Sequence, residues 1–128
     1  MEFKRVDAPM APTPKGGYAQ ALEVAGAKRL LFISGQIPET AQGEVPKDFP
    51  SQARVAWANV FAQLEAAGMS VANLVKVTTF LSSREYGIVN REIRKEALGE
   101  HMPALTVIIT GIFDEAWLLE IEAIAAAG

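Results

Sequence analysis

Three runs in this chain, LLFI at 30–33, LVKVTTFL at 74–81 and LTVII at 105–109, are apolar or β-branched at nearly every position. Each is of strand length and bounded by turn formers or polar loops, which reads as strands covered on both faces rather than as buried helices. Helical periodicity is confined to two stretches. Asp48 is placed as an N-cap, and behind it Trp57, Val60, Phe61, Leu64 and Ala67 recur at three and four residues up to Gly68. Ser82 or Ser83 caps a second amphipathic helix with Tyr86, Val89, Ile93 and Ala97 on its stripe and Gly99 at its end. Two helices can cover only one face of a sheet. The spacing therefore predicts that a second subunit buries the other face.

The remaining elements follow from breakers and alternation. Residues 2–6 form a short strand, the loop APMAPTPKGG forbids regular pairing through Pro9, Pro12, Pro14, Gly16 and Gly17, and residues 18–24 return as a strand. Residues 118–125 form the last strand. The order is strand, strand, strand, helix, strand, helix, strand, strand, an α+β sandwich with a mainly antiparallel sheet and two helices on one face. At 128 residues the chain reads as a single domain, 1–128.

Composition removes several function classes. Twelve Lys and Arg against fifteen Asp and Glu leave a net charge of -3, and the basic residues are mostly scattered, a poor footprint for nucleic acid. Without cysteine there are no disulfides and no thiolate chemistry, and one histidine cannot build the usual zinc site, so no metal is expected. No phosphate-cradling loop is present and no cofactor is expected. The N-terminus MEFKRVDAPM lacks a signal-peptide core and no apolar run is long enough to cross a membrane, so the expectation is a cytoplasmic protein without membrane partners.

Two features carry chemistry. Gly35, directly after the apolar run at 30–33, either marks a β-bulge or leaves room for a ligand or another backbone to approach. In LLEIEAIA, period-two alternation puts Leu119, Ile121, Ala123 and Ala125 on one face and Leu118, Glu120, Glu122 and Ile124 on the other. Two carboxylates thus share the face that should meet a neighbour, where each must be paired, hydrogen-bonded or neutral. They are either intersubunit ion pairs or a group that orients water and moves a proton in a cleft. Other candidates read as structural: His101 as a surface or capping residue, Trp117 as an interface or loop-packing residue, and Arg91, Arg94 and Lys95, interleaved with Glu92 and Glu96, as a solvated helix face.

The segments GYAQA at 17–21, LLFISGQIP at 30–38, LEAAG at 64–68, LVKVTTFL at 74–81, Val89-Asn90, GEH-PA around Pro103 and EIEAIA at 120–125 together resemble the YjgF/RidA family, also labelled endoribonuclease L-PSP. The resemblance implies a chorismate-mutase-like fold of the bacillus type and a homotrimer with three clefts between subunits. It also implies cofactor-free hydrolysis of 2-imino acids to 2-oxo acids and ammonia. Carried over by motif, the small-molecule cleft would use Glu120 as the catalytic group, with Tyr18, Ser34, Gly35, Gln36 and Asn90 lining it.

One position departs from the pattern. After Pro103-Ala104 the family arginine is replaced by Leu105, and the small residue two positions on is Val107. An arginine there would clamp a substrate carboxylate through paired N–H bonds. Losing such a charge-assisted partner is worth about 1.5 to 3 kcal/mol, which argues against efficient turnover of ordinary 2-imino acids. Three readings follow. The first is a RidA-like trimer that binds or hydrolyses a small carbonyl or imine metabolite, with Leu105 and Val107 lining the cleft. The second is a conventional 2-iminobutanoate or 2-iminopropanoate deaminase that recruits Lys15, Arg91 or Arg94 instead. The third is a non-enzymatic ligand- or partner-binding trimer; the acidic balance and the lack of a histidine pair argue against an endoribonuclease.

Overall fold

The apolar runs become the middle of a four-stranded sheet, and their order in it decides which side chains can meet. The computed structural model describes residues 1–128. Strands β1 (Glu2–Val6) and β2 (Ala21–Ala25) form an antiparallel ribbon. Strand β3 (Arg29–Gln36), helix α1 (Phe49–Ala66), β4 (Leu74–Leu81), α2 (Gly87–Leu98), β5 (Ala104–Ile109) and β6 (Leu119–Ala127) follow. The sheet order is β3-β6-β4-β5, with β6 antiparallel to both neighbours. Strands β4 and β5 are parallel, because α2 carries the chain back across the sheet between them. The sheet is therefore mixed at its β5 edge and antiparallel elsewhere.

Both helices start where the side chains allow. Asp48 accepts the Ser51 amide at 2.9 Å, with Pro50 in the first turn, and Gly68 turns the chain out at φ +70°. Ser83 caps a short 3-10 turn, Arg84–Tyr86, that leads into α2, and Gly99 ends it with φ +59°. Helix α1 lays Ala53, Trp57, Val60 and Leu64 on the sheet against Leu74, Val77, Leu81, Leu119 and Ile121, all buried. The Phe49 and Tyr86 rings stack at 4.5 Å between centroids and join the two helices at one end.

The opposite face of the sheet has no cover within the chain. Leu30 and Phe32 on β3 are 60% and 70% exposed, and Ile108 on β5 lies on the same side. Alternation on β6 falls as the sequence pattern requires: Leu119, Ile121, Ala123 and Ala125 are buried, while Glu120, Glu122 and Ile124 face the open side.

Two boundaries differ from expectation. The second strand begins at Ala21 rather than at residue 18. The Asp7 carboxylate takes the Gln20 N–H at 2.9 Å and the Gln20 side chain bonds the Pro12 carbonyl, so this part of the chain belongs to the loop. Ala19 makes only an isolated bridge to Ala104, with its N–H on the Pro103 carbonyl at 3.0 Å. The last strand starts one residue later than expected and runs on to Ala127, held by Lys28 N–H on the Ala127 carbonyl.

Candidate functional site

Gly35 interrupts β3 in two ways at once. The ladder to β6 shifts register between Ile33 and Gln36, the signature of a bulge, and the Glu120 side chain of β6 crosses directly over the glycine. A Cβ at position 35 would lie 2.6 Å from the Glu120 Cδ and closer still to its carboxylate. The bulge alternative holds, and the group that approaches the glycine is an acidic side chain of the same chain rather than a ligand or another backbone. Glu120 also lines a pocket of about 280 Å³ on the open face, with Phe80, Thr110, Gly111, Ile112 and Phe113.

A second pocket lies at the β5 edge. Tyr18 from the loop, Asn90 from α2, and Leu105 and Val107 from β5 meet there around a volume of about 510 Å³. Positions 87, 90, 91 and 94 recur at helical spacing, so α2 presents one face to this pocket while Ile93 and Leu98 point into the core. The loop is held over α2 through glycine. Gly16 and Gly17 adopt φ +146° and +70°, backbone conformations that residues with a Cβ rarely take, and Gly16 lies against the Arg91 side chain. Gly16 in turn gives its carbonyl to Arg94 Nη2 at 3.0 Å.

The expected site residues therefore fall into two groups. Tyr18, Asn90, Leu105 and Val107 share the edge pocket, and Glu120 with Gly35 sits on the open face. Ser34 is exposed beside Gly35, and its carbonyl accepts the Gln36 side chain at 2.9 Å. Gln36 also receives a long bond, 3.4 Å, from Gln63 on α1, which draws it towards the helices. Within one chain the two groups do not meet. His101 bonds the Leu74 carbonyl at 2.7 Å and Trp117 packs beside Phe113, both structural as expected.

Arg94 is the correction. Sequence periodicity placed it on a solvated face, whereas it is 4% exposed, lines the edge pocket and leaves Nε without a partner. The signal was its spacing of four from Asn90, which is 2% exposed and on the same side of α2. Lys15, Arg84 and Arg91 line this pocket too, and no Asp or Glu does. Burial, the neighbouring Arg91 charge and an opposing effect of Tyr18 act on the Arg94 guanidinium, and the net result is a pKa below its ordinary value.

The family model for endoribonuclease L-PSP matches residues 8–127. The chain belongs to that family, also known as YjgF/RidA. A RutC family protein of Pyrococcus horikoshii is 39% identical over 117 residues, 90% of each chain. Among solved structures, the Rid family protein YyfB of Yersinia pestis superposes with a TM-score of 0.86 at 25% identity, over 99% of this chain and 100% of that one. The TdcF protein of Escherichia coli, solved with bound serine, gives a TM-score of 0.74 at 34% identity over 98% and 99% of the two chains. The YjgF/RidA chain is thus α+β with the chorismate-mutase-like fold of its relatives, and it carries Leu105 in its edge pocket.

Proposed function

We propose that this YjgF/RidA chain binds a small carbonyl or imine metabolite in clefts between copies of a homotrimer and, where the ligand is an imine, hydrolyses the C=N bond with Glu120. The observation that carries the reading is the Glu120 carboxylate held over Gly35 on a sheet face that no other part of the chain covers. A copy packed on that face would bring one chain's Glu120 to another chain's Tyr18, Asn90, Leu105 and Val107. Relatives support the class of chemistry: TdcF, 35% identical over 127 residues, is named as a candidate reactive intermediate deaminase.

The reaction needs one acid–base group. Glu120 takes a proton from water as the water oxygen bonds to the imine carbon and passes it to the nitrogen, giving a carbinolamine; it then takes the carbinolamine hydroxyl proton as the carbonyl forms and delivers it to the nitrogen as the carbon–nitrogen bond breaks. The products are a carbonyl compound and ammonia, and no redox partner is required. In this reading the Gly35 N–H serves as a donor to the ligand's carbonyl oxygen. Leu105 cannot hold the carboxylate of an ordinary 2-imino acid, which sets efficiency on such substrates low. A deaminase using other cations is the second reading, favoured by Lys15, Arg91 and Arg94 lining the pocket that contains Leu105.

Trapping the imine produced by an amino-acid oxidase tests the proposal. The protein should lower the trapped fraction modestly, Leu105→Arg should lower it further, and Glu120→Gln should restore it while leaving the fold intact. Trapping unchanged by both the wild type and Leu105→Arg would dismiss imine hydrolysis.

A further inference from the structure

The loop that carries Tyr18 is tied to the rest of the chain at few points. Residues 13–18 lie outside every helix and named strand, and the hydrogen bond that holds them runs from Arg94 Nη2 on α2 to the Gly16 carbonyl. The next tie upstream is the Gln20 side chain on the Pro12 carbonyl, and the next one downstream is the Ala19 N–H on the Pro103 carbonyl. Tyr18 is therefore suspended between a buried neighbour, Ala19, and a clamp two residues before it. Beside the clamp, Gly16 and Gly17 lie against the side chains of Arg91 and Lys95, so the loop follows one side of α2.

Stability alone does not account for the residue at the clamp. Arg94 is buried without a carboxylate partner, its Nε is enclosed and unbonded, and the ion pairs of the chain, Arg5–Asp7 and Arg54–Glu96, lie elsewhere. Ile93 and Leu98 already fix α2 in the core, and an apolar side chain of similar length would fill the space at 94 without burying a charge. A guanidinium adds a long-reaching, planar donor that is aimed by its buried stem.

We propose that Arg94 is a positioning residue for Tyr18: it draws the Gly16 carbonyl onto α2 and so holds Tyr18 in the edge pocket, beside Asn90 and Leu105, before a ligand arrives. The inference rests on the reading that this pocket is part of the ligand cleft. Arg94 touches no ligand in this role; it acts through the backbone of the loop. The loop is ordered on folding rather than on binding, which spares the ligand that entropy.

Trypsin cleavage after Lys15, an exposed residue directly before the clamp, reads the loop without reference to any reaction. In the intact assembly, with the 16–128 product followed by mass, Arg94→Met should be cut at least tenfold faster than the wild type. Its melting temperature should stay level or rise, because a buried charge has been replaced by an apolar chain. Arg94→Lys keeps a donor and should be cut more slowly than Arg94→Met. In the imine-trapping assay, Arg94→Met should slow hydrolysis about tenfold in the wild-type background and have little effect in Tyr18→Ala, where there is no phenol left to place. Arg94→Lys should recover part of the loss. An unchanged cleavage rate in Arg94→Met would overturn the clamp, and a markedly lowered melting temperature would make Arg94 a core residue instead. A loss of hydrolysis equal with and without the Tyr18 side chain would overturn the link to Tyr18. If the wild type hydrolyses no imine, the proposed reaction fails, while the cleavage rates and melting temperatures still decide for or against the clamp.

Discussion

At the scale of single residues, Gly35 and Glu120 act as a pair, and each explains the other. Glycine is required here for space, since the backbone at 35 is not in the left-handed region and the collision concerns only the Glu120 side chain. Gly35→Ala should cost about 1 to 3 kcal/mol through overpacking and displace the carboxylate, with loss of imine hydrolysis. In Glu120→Ala the clashing atoms are gone, so adding Gly35→Ala to it should cost little. Denaturant titration of the four proteins reads this non-additivity, and additive costs would show that the contact does not constrain Glu120. Asp48 gives a pH prediction. The Ser51 amide holds its carboxyl below the ordinary 3.8, so its contribution is full above that pH and is lost as the pH falls through the lower folded value. Asp48→Asn keeps an acceptor but cannot ionise. It should melt slightly below the wild type at neutral pH, with the gap closing below pH 3.8.

At the scale of elements, most of the fold was legible because each segment's pattern agrees with its place. LVKVTTFL is strand β4 with the expected limits, and the period-two reading of β6 sorts its carboxylates from its core residues correctly. Trp57 is buried between α1 and the sheet, so Trp57→Ala should destabilise by about 3 to 5 kcal/mol in urea titration, with no separate effect on ligand affinity. What the sequence hid was tertiary. Arg94 looks like any charged residue of an amphipathic helix until the 7–20 loop folds over it, a contact made by glycines more than seventy residues away. The start of β2 was missed for a similar reason, since a side-chain acceptor, Asp7, claims the Gln20 amide ahead of the ladder. The clustering of Lys15, Arg84, Arg91 and Arg94 was likewise invisible, because these residues come from separate segments.

At the scale of the whole molecule, the sheet is finished on one side only. Strands β3, β4, β5 and β6 offer the open side Leu30, Phe32, Phe80, Ile108 and Ile124 around Glu120 and Glu122, an apolar surface with two carboxylates set into it. The proposed cleft depends on a second copy covering that surface, because one chain keeps its carboxylate and its cationic pocket apart. Phe32→Lys, at an exposed site where the lone chain loses no packing, should leave helix content unchanged but disperse the assembly and abolish imine hydrolysis together. Sedimentation velocity of the wild-type chain at micromolar concentration is the most direct measurement. A single species at three times the 13.8 kDa chain mass is the expected result, and a stable monomer that still hydrolyses imines would contradict a cleft shared between copies.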